Sequence, residues 1–172
     1  TFFLDVANVI DLKDEEKRLT VEKKETEWET KPMVTKEPEK NVSESRFKTR
    51  HEYDLFLGEQ LEMKVADSWS KKGFNVRKTG QKEDWEGVDL VVTKDDGLER
   101  LIYAIQCKNW QRPMNKGDVE KYSRHAKDDS IYDKMYLVCA GGFTDDAREF
   151  AAKKKYSTKL ILHGEEEING FY

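Results

Sequence analysis

The chain has 172 residues, enough for one compact domain with an appendage and a real core. Charged residues make up 38% and hydrophobic ones 37%, too polar a mix for a membrane protein, and no apolar run approaches the ~18 residues a span requires. The formal net charge of -4 argues against a uniformly basic nucleic-acid binder but leaves room for a locally basic surface.

Residues 1–50 differ from the rest of the chain. They contain no glycine, hold Pro32 and Pro38, and alternate acids with bases, as in Lys13–Asp14–Glu15–Glu16–Lys17–Arg18. Short apolar alternation near Leu19 and Val21, and again near Trp28, Met33 and Val34, predicts at most a hairpin, with a flexible piece around 36–45. The opening Thr1–Phe2–Phe3–Leu4–Asp5 lacks the basic start and long apolar centre of a secretory signal. Cys107 and Cys139 fall in apolar runs without Cys-x-x-Cys spacing, which predicts buried free thiols and a cytoplasmic protein.

From His51 the pattern becomes regular, and residues 51–172 read as one domain. Leu57, Leu61, Val65 and Trp69 form an apolar stripe on a helix over 52–72, stopped by Gly73. A strand comes next at 74–78, then a polar loop over 79–86 that carries Asp84. Strands starting at Val88 and at Leu101 are joined by the turn Asp95–Asp96–Gly97. A helix is predicted over 116–127 and a strand over 134–140. Gly141–Gly142–Phe143–Thr144 leads into a helix capped by Thr144, with Asp145 and Asp146 suited to its positive end. A last strand spans 159–162. The order is a mixed α/β sheet flanked by helices.

The chemistry sits on the hairpin. Gly87–Val88–Asp89–Leu90 opens one strand, and the next ends in Gln106–Cys107–Lys108. Side chains alternate along a strand, so Gln106 and Lys108 share a face. An ammonium on a central apolar strand costs roughly several kcal/mol unless something compensates it. A phosphate, or the carboxylates that hold a phosphate-binding metal, would do so. Asp89 supplies a carboxylate, Gln106 a neutral oxygen, Lys108 the positive group, and the Cys107 backbone carbonyl a further oxygen. Helical geometry puts Glu62 at the edge of the apolar stripe, facing the sheet, while Glu59 points further towards solvent. Between Arg100 and Lys127 the bases Lys108, Arg112, Lys116, Lys121 and Arg124 face only Asp118 and Glu120, a surface suited to phosphates. His51, His125 and His163 have no ligand spacing, and Phe143, Phe150 and Tyr136 read as core.

Residues 54–165 resemble the Mrr-like restriction endonuclease branch of the PD-(D/E)xK nuclease superfamily. The resemblance is carried by four blocks: Gly58–Glu59–Gln60–Leu61–Glu62; Gly73–Phe74; Gly87–Val88–Asp89–Leu90 with Gln106–Cys107–Lys108; and Gly142–Phe143–Thr144 with Ala147 and Ala151. It implies a restriction-endonuclease-like αβββαβ core and a Mg²⁺-dependent DNA endonuclease, with Mn²⁺ as a substitute. Asp89 would then be the metal aspartate, with Gln106 in place of the usual acid and the Cys107 carbonyl as a further metal oxygen. Lys108 would be the catalytic lysine, positioning water to leave a 5′-phosphate, and Glu62 the helix acid. Arg112, Lys116, Lys121 and Arg124 would contact DNA, and a homodimer would suit cutting of both strands. Two other readings share the fold: a nuclease resembling the Holliday-junction resolvases, and an inactive DNA-binding or assembly module.

Overall fold

The computed structural model describes residues 43–79, 88–95, 97, 99–126, 130–153 and 159–171, all within the compact unit Thr35–Tyr172. The predicted N-terminal hairpin, the Asp84 loop, Gly87 and Lys127 lie outside the described residues.

Helix α1 (Arg50–Lys71) opens on a capping box: Glu52 donates its N–H to the Thr49 hydroxyl, and its carboxylate accepts from the Thr49 N–H. Just before it, Phe47 packs on Tyr53 and Phe56 with ring centroids 5.4 and 5.0 Å apart. The chain leaves α1 through Gly73, whose φ of 82° only glycine adopts freely, so the next element can turn back along the helix.

A five-stranded sheet comes next, in the spatial order β1 (Asn75–Lys78), β2 (Leu90–Asp95), β3 (Arg100–Lys108), β4 (Lys134–Cys139), β5 (Leu160–His163). The first three strands are antiparallel, and β3, β4 and β5 are parallel. Helix α2 (Lys116–Tyr122) joins β3 to β4, and α3 (Asp145–Ala151) joins β4 to β5. Parallel crossovers are right-handed, so both helices fall on the same face of the sheet. The mixed sheet flanked by helices is the restriction-endonuclease-like fold the sequence predicts.

Strand alternation divides the core. Leu90, Val92, Tyr103, Ile105, Cys107, Tyr136 and Val138 pack with Leu61, Val65 and Trp69 of α1. Residues of the other parity, including Val91, Ala104, Met135 and Leu137, are equally buried and face α2 and α3. Cys107 and Cys139 are buried free thiols.

The structure departs from the sequence reading at several ends. The predicted helix over 116–127 stops at Tyr122: Ser123 is buried and turns its hydroxyl back to the Glu120 carbonyl, competing with the helical ladder. Thr144 stands at the N-cap of α3, but its hydroxyl bonds the Met114 carbonyl and the Asp146 carboxylate instead of a helix N–H. A further helix, α4 (Glu165–Gly170), closes the chain, with three acids in its first turn and Ile168 in the α1-side core. The Lys64 and Lys72 ammonium groups of α1 and its flank donate to the Ile168 and Phe171 carbonyls at its C-terminal end. No helix among the described residues is long and apolar enough to cross a membrane.

Candidate active site

Antiparallel register builds the centre. Leu90 pairs with Ile105, and just ahead of it the Asp89 side chain meets the side chain of Gln106. The Asp89 backbone is clamped from both sides: its N–H donates to the Ile105 carbonyl at 2.8 Å, and its carbonyl accepts from the Thr79 N–H at 2.9 Å. The Asp89 carboxylate accepts from the Cys107 N–H at 2.7 Å and from the Gln106 side-chain amide. Backbone and side chain are therefore both fixed to β3.

Burial pushes the Asp89 carboxyl above its ordinary range. The Lys108 charge and the Cys107 N–H oppose this, and the Glu62 charge adds to it. Gln106 is 1% exposed; its amide nitrogen donates to Asp89 and, at 3.4 Å, to the Cys107 carbonyl, and its side-chain oxygen is buried without a hydrogen-bond partner among the described residues. An orphaned amide oxygen beside a buried carboxylate is a costly arrangement for a purely structural core. Burial, reinforced by Asp89 and Glu62, raises the Cys107 thiol well above its usual value, which keeps it neutral.

Glu62 lies on the α1 side of the sheet, with its carboxylate 2.7 Å from the Lys78 ammonium on β1. Burial lowers the Lys78 pKa, but the hydrogen bond and charge of Glu62, with Glu59 and Asp89 behind it, outweigh that and leave it raised. Nothing in the sequence singles out Lys78. Only pairing of β1 with β2 brings it towards Asp89, a contact that no local motif announces.

Lys108 ends β3 half-buried, with its ammonium 5.2 Å from the centroid of the Tyr122 ring. Beyond it the chain runs through Trp110 and Arg112 to α2. Arg112, Lys116, Lys121 and Arg124 are all exposed. Arg112 binds Asp118 through two contacts, at 2.6 and 3.3 Å, and holds that carboxyl below its usual range. This loop is locked from below: the Met114 N–H donates to the Gly142 carbonyl at 3.0 Å, and the Thr144 N–H to the Met114 carbonyl at 3.0 Å.

Among the described residues no three His, Cys, Asp or Glu side chains converge, so a cation here would rely on Asp89, the orphaned Gln106 oxygen and backbone carbonyl oxygen, with Glu62 flanking.

The mixed five-stranded sheet flanked by helices is a nuclease domain of restriction-endonuclease-like fold, a class that rests on the family match. The chain belongs to the restriction endonuclease family Mrr_cat, whose model matches residues 54–169. Comparison with curated proteins gives no match. Among solved structures, AF1548, a protein of unknown function, aligns with a TM-score of 0.46 at 20% identity, over 61% of this chain and 56% of its own. The MspJI restriction endonuclease in complex with a 27-mer oligonucleotide aligns at 0.47 and 13% identity, over 82% and 34%. The ATP-dependent Type ISP restriction-modification enzyme LlaBIII bound to DNA aligns at 0.49 and 18%, over 67% and 8%. The chain thus spans little more than half of the first of these structures and far less of the others.

Proposed function

We propose that the domain is a Mg²⁺-dependent DNA endonuclease, with Mn²⁺ as a substitute ion. The observation that carries this reading is the Asp89–Gln106 pair. A buried carboxylate is fixed by a backbone N–H beside an amide oxygen that has no hydrogen-bond partner among the described residues. Asp89, the Gln106 side-chain oxygen and the Cys107 carbonyl would hold the ion, and Glu62 would join on release from Lys78. When bound, the ion polarises the phosphodiester and neutralises charge building on it.

The chain's own groups supply the rest. Lys108 shares the face of Gln106, and on this reading its ammonium would orient water and stabilise a phosphate oxygen. Exposed Lys121, which shares the Tyr122 ring with Lys108, together with Lys116 and Arg124 on α2 and just after it and Arg112 on the preceding loop once free of Asp118, would offer phosphate contacts. The family supports phosphodiester cleavage, and a second copy of the chain would supply the cut on the opposite strand.

Supercoiled plasmid, linear duplex and a four-way junction, each incubated with Mg²⁺ and with a chelator, test the proposal. Cutting of plasmid or linear duplex with Mg²⁺ alone supports it. A strong preference for the junction favours a resolvase-like nuclease, and binding without turnover in either ion favours the inactive module.

A further inference from the structure

Two aromatic rings beside Lys108 already carry cations, and this limits what else they can do. The Tyr122 centroid has the Lys108 and Lys121 ammonium groups each at 5.2 Å. Trp110 meets Tyr122 at 66° with centroids 6.0 Å apart, and the Arg112 guanidinium stands 4.4 Å from the Trp110 centroid. Rings occupied in this way offer little free face to an incoming base, so they are poorly suited as a stacking platform. They are well suited to holding the cations themselves.

A lysine at a strand end is the side chain that most needs such a hold. Its four-carbon stem carries close to the maximum rotamer entropy, and a catalytic ammonium that wanders loses its effect. Attraction to an aromatic face restrains the head group without neutralising it, as a carboxylate partner would. Tyr122 is itself anchored: it occupies the last turn of α2, between buried Val119 and buried Ser123.

We infer that Tyr122 is the positioning residue for Lys108, its ring holding the ammonium on the face shared with Gln106 and tying it to the helix that presents Lys116 and Lys121. This rests on the reading of Lys108 as the catalytic lysine. One ring thereby links the group acting at the scissile phosphate to groups gripping neighbouring phosphates. Losing the ring frees Lys108 while α2 keeps its charges, so turnover falls and DNA affinity largely survives.

The test compares the full chain with Tyr122→Phe and Tyr122→Leu. In a lysine-labelled NMR spectrum, the ring shifts the Lys108 Hε resonances upfield in the parent and in Tyr122→Phe but not in Tyr122→Leu. With Mg²⁺, Tyr122→Leu loses roughly tenfold to a hundredfold in kcat with KM little changed, and Tyr122→Phe restores it. The dispersed amide spectrum of Tyr122→Leu establishes that it folds, and the Tyr122→Phe arm stands even if it does not. Ordinary Lys108 resonances in the parent would overturn the inference. So would full turnover in a folded Tyr122→Leu protein while Lys108→Ala is dead. Full turnover in Lys108→Ala would instead remove the catalytic reading, and the inference with it.

Discussion

The Asp89 carboxylate accepts a 2.7 Å hydrogen bond from the Cys107 N–H, which ties the head of β2 to the residue next to Lys108. The bond gives the acid one fixed orientation, while burial makes its charge expensive. A site organised in this way carries instability that a bound cation would relieve.

Asp89→Asn should therefore stabilise the metal-free protein. Because the folded-state pKa of Asp89 is raised, the folded form holds this proton more tightly than the unfolded chain does. Its contribution to stability is present below the unfolded pKa of about 3.9 and is lost as pH rises through the folded value. The Tm gain from Asp89→Asn is expected at neutral pH and should vanish towards pH 4, read by thermal unfolding in a chelator. Cleavage should be abolished by the same change. A variant less stable at pH 7 than the parent would contradict the burial argument.

Lys78→Met removes the partner of Glu62 and leaves the mutually repelling charges of Glu62 and Asp89 without the Lys78 cation. A loss of about 1 kcal/mol in urea unfolding is expected without metal. Mn²⁺ should reduce the loss if Glu62 joins the ion. A loss that is the same with and without Mn²⁺ would assign Glu62 a structural role only.

Two glycines should behave oppositely. A Cβ on Gly141 would lie 2.4 Å from the Arg112 carbonyl oxygen and 2.7 Å from that of Trp110, both backbone, so Gly141→Ala must displace the loop behind Lys108. A cost of about 1–3 kcal/mol and a drop in cleavage are expected. Gly58 lies inside α1, where an added methyl would meet nothing within 4 Å, and Gly58→Ala should stabilise by about 0.5–1 kcal/mol. Thermal unfolding of both variants checks this.

Much of the fold is legible in the sequence because the chain marks its own boundaries. Gly73 closes α1, and the polar-ended runs at Asp89 and Lys108 delimit a hairpin that brings the Asp89 and Gln106 side chains together. What escapes a sequence reading is what only tertiary contact creates. Lys78 pairs with Glu62 across an element boundary, Tyr122 receives Lys108 and Lys121 from two different elements, and Thr144 spends its hydroxyl on Met114. The early end of α2 belongs to the same class, because Ser123 is buried by packing that no local signal encodes. Helix α4 is the exception. Acids at Glu165–Glu167 followed by Ile168 carry an ordinary N-terminal helix signal, too short and too close to the last strand to stand out from a polar tail.

On the proposed function, Lys108 acts on a phosphodiester held at the Asp89–Gln106 pair. The most direct test is the rate of Mg²⁺-dependent plasmid cleavage by Lys108→Ala beside the parent, with the fold and DNA affinity of both measured in parallel. A loss of roughly 10²–10³-fold in cleavage is expected, by a folded protein that still binds DNA. Cleavage at the parental rate would contradict it.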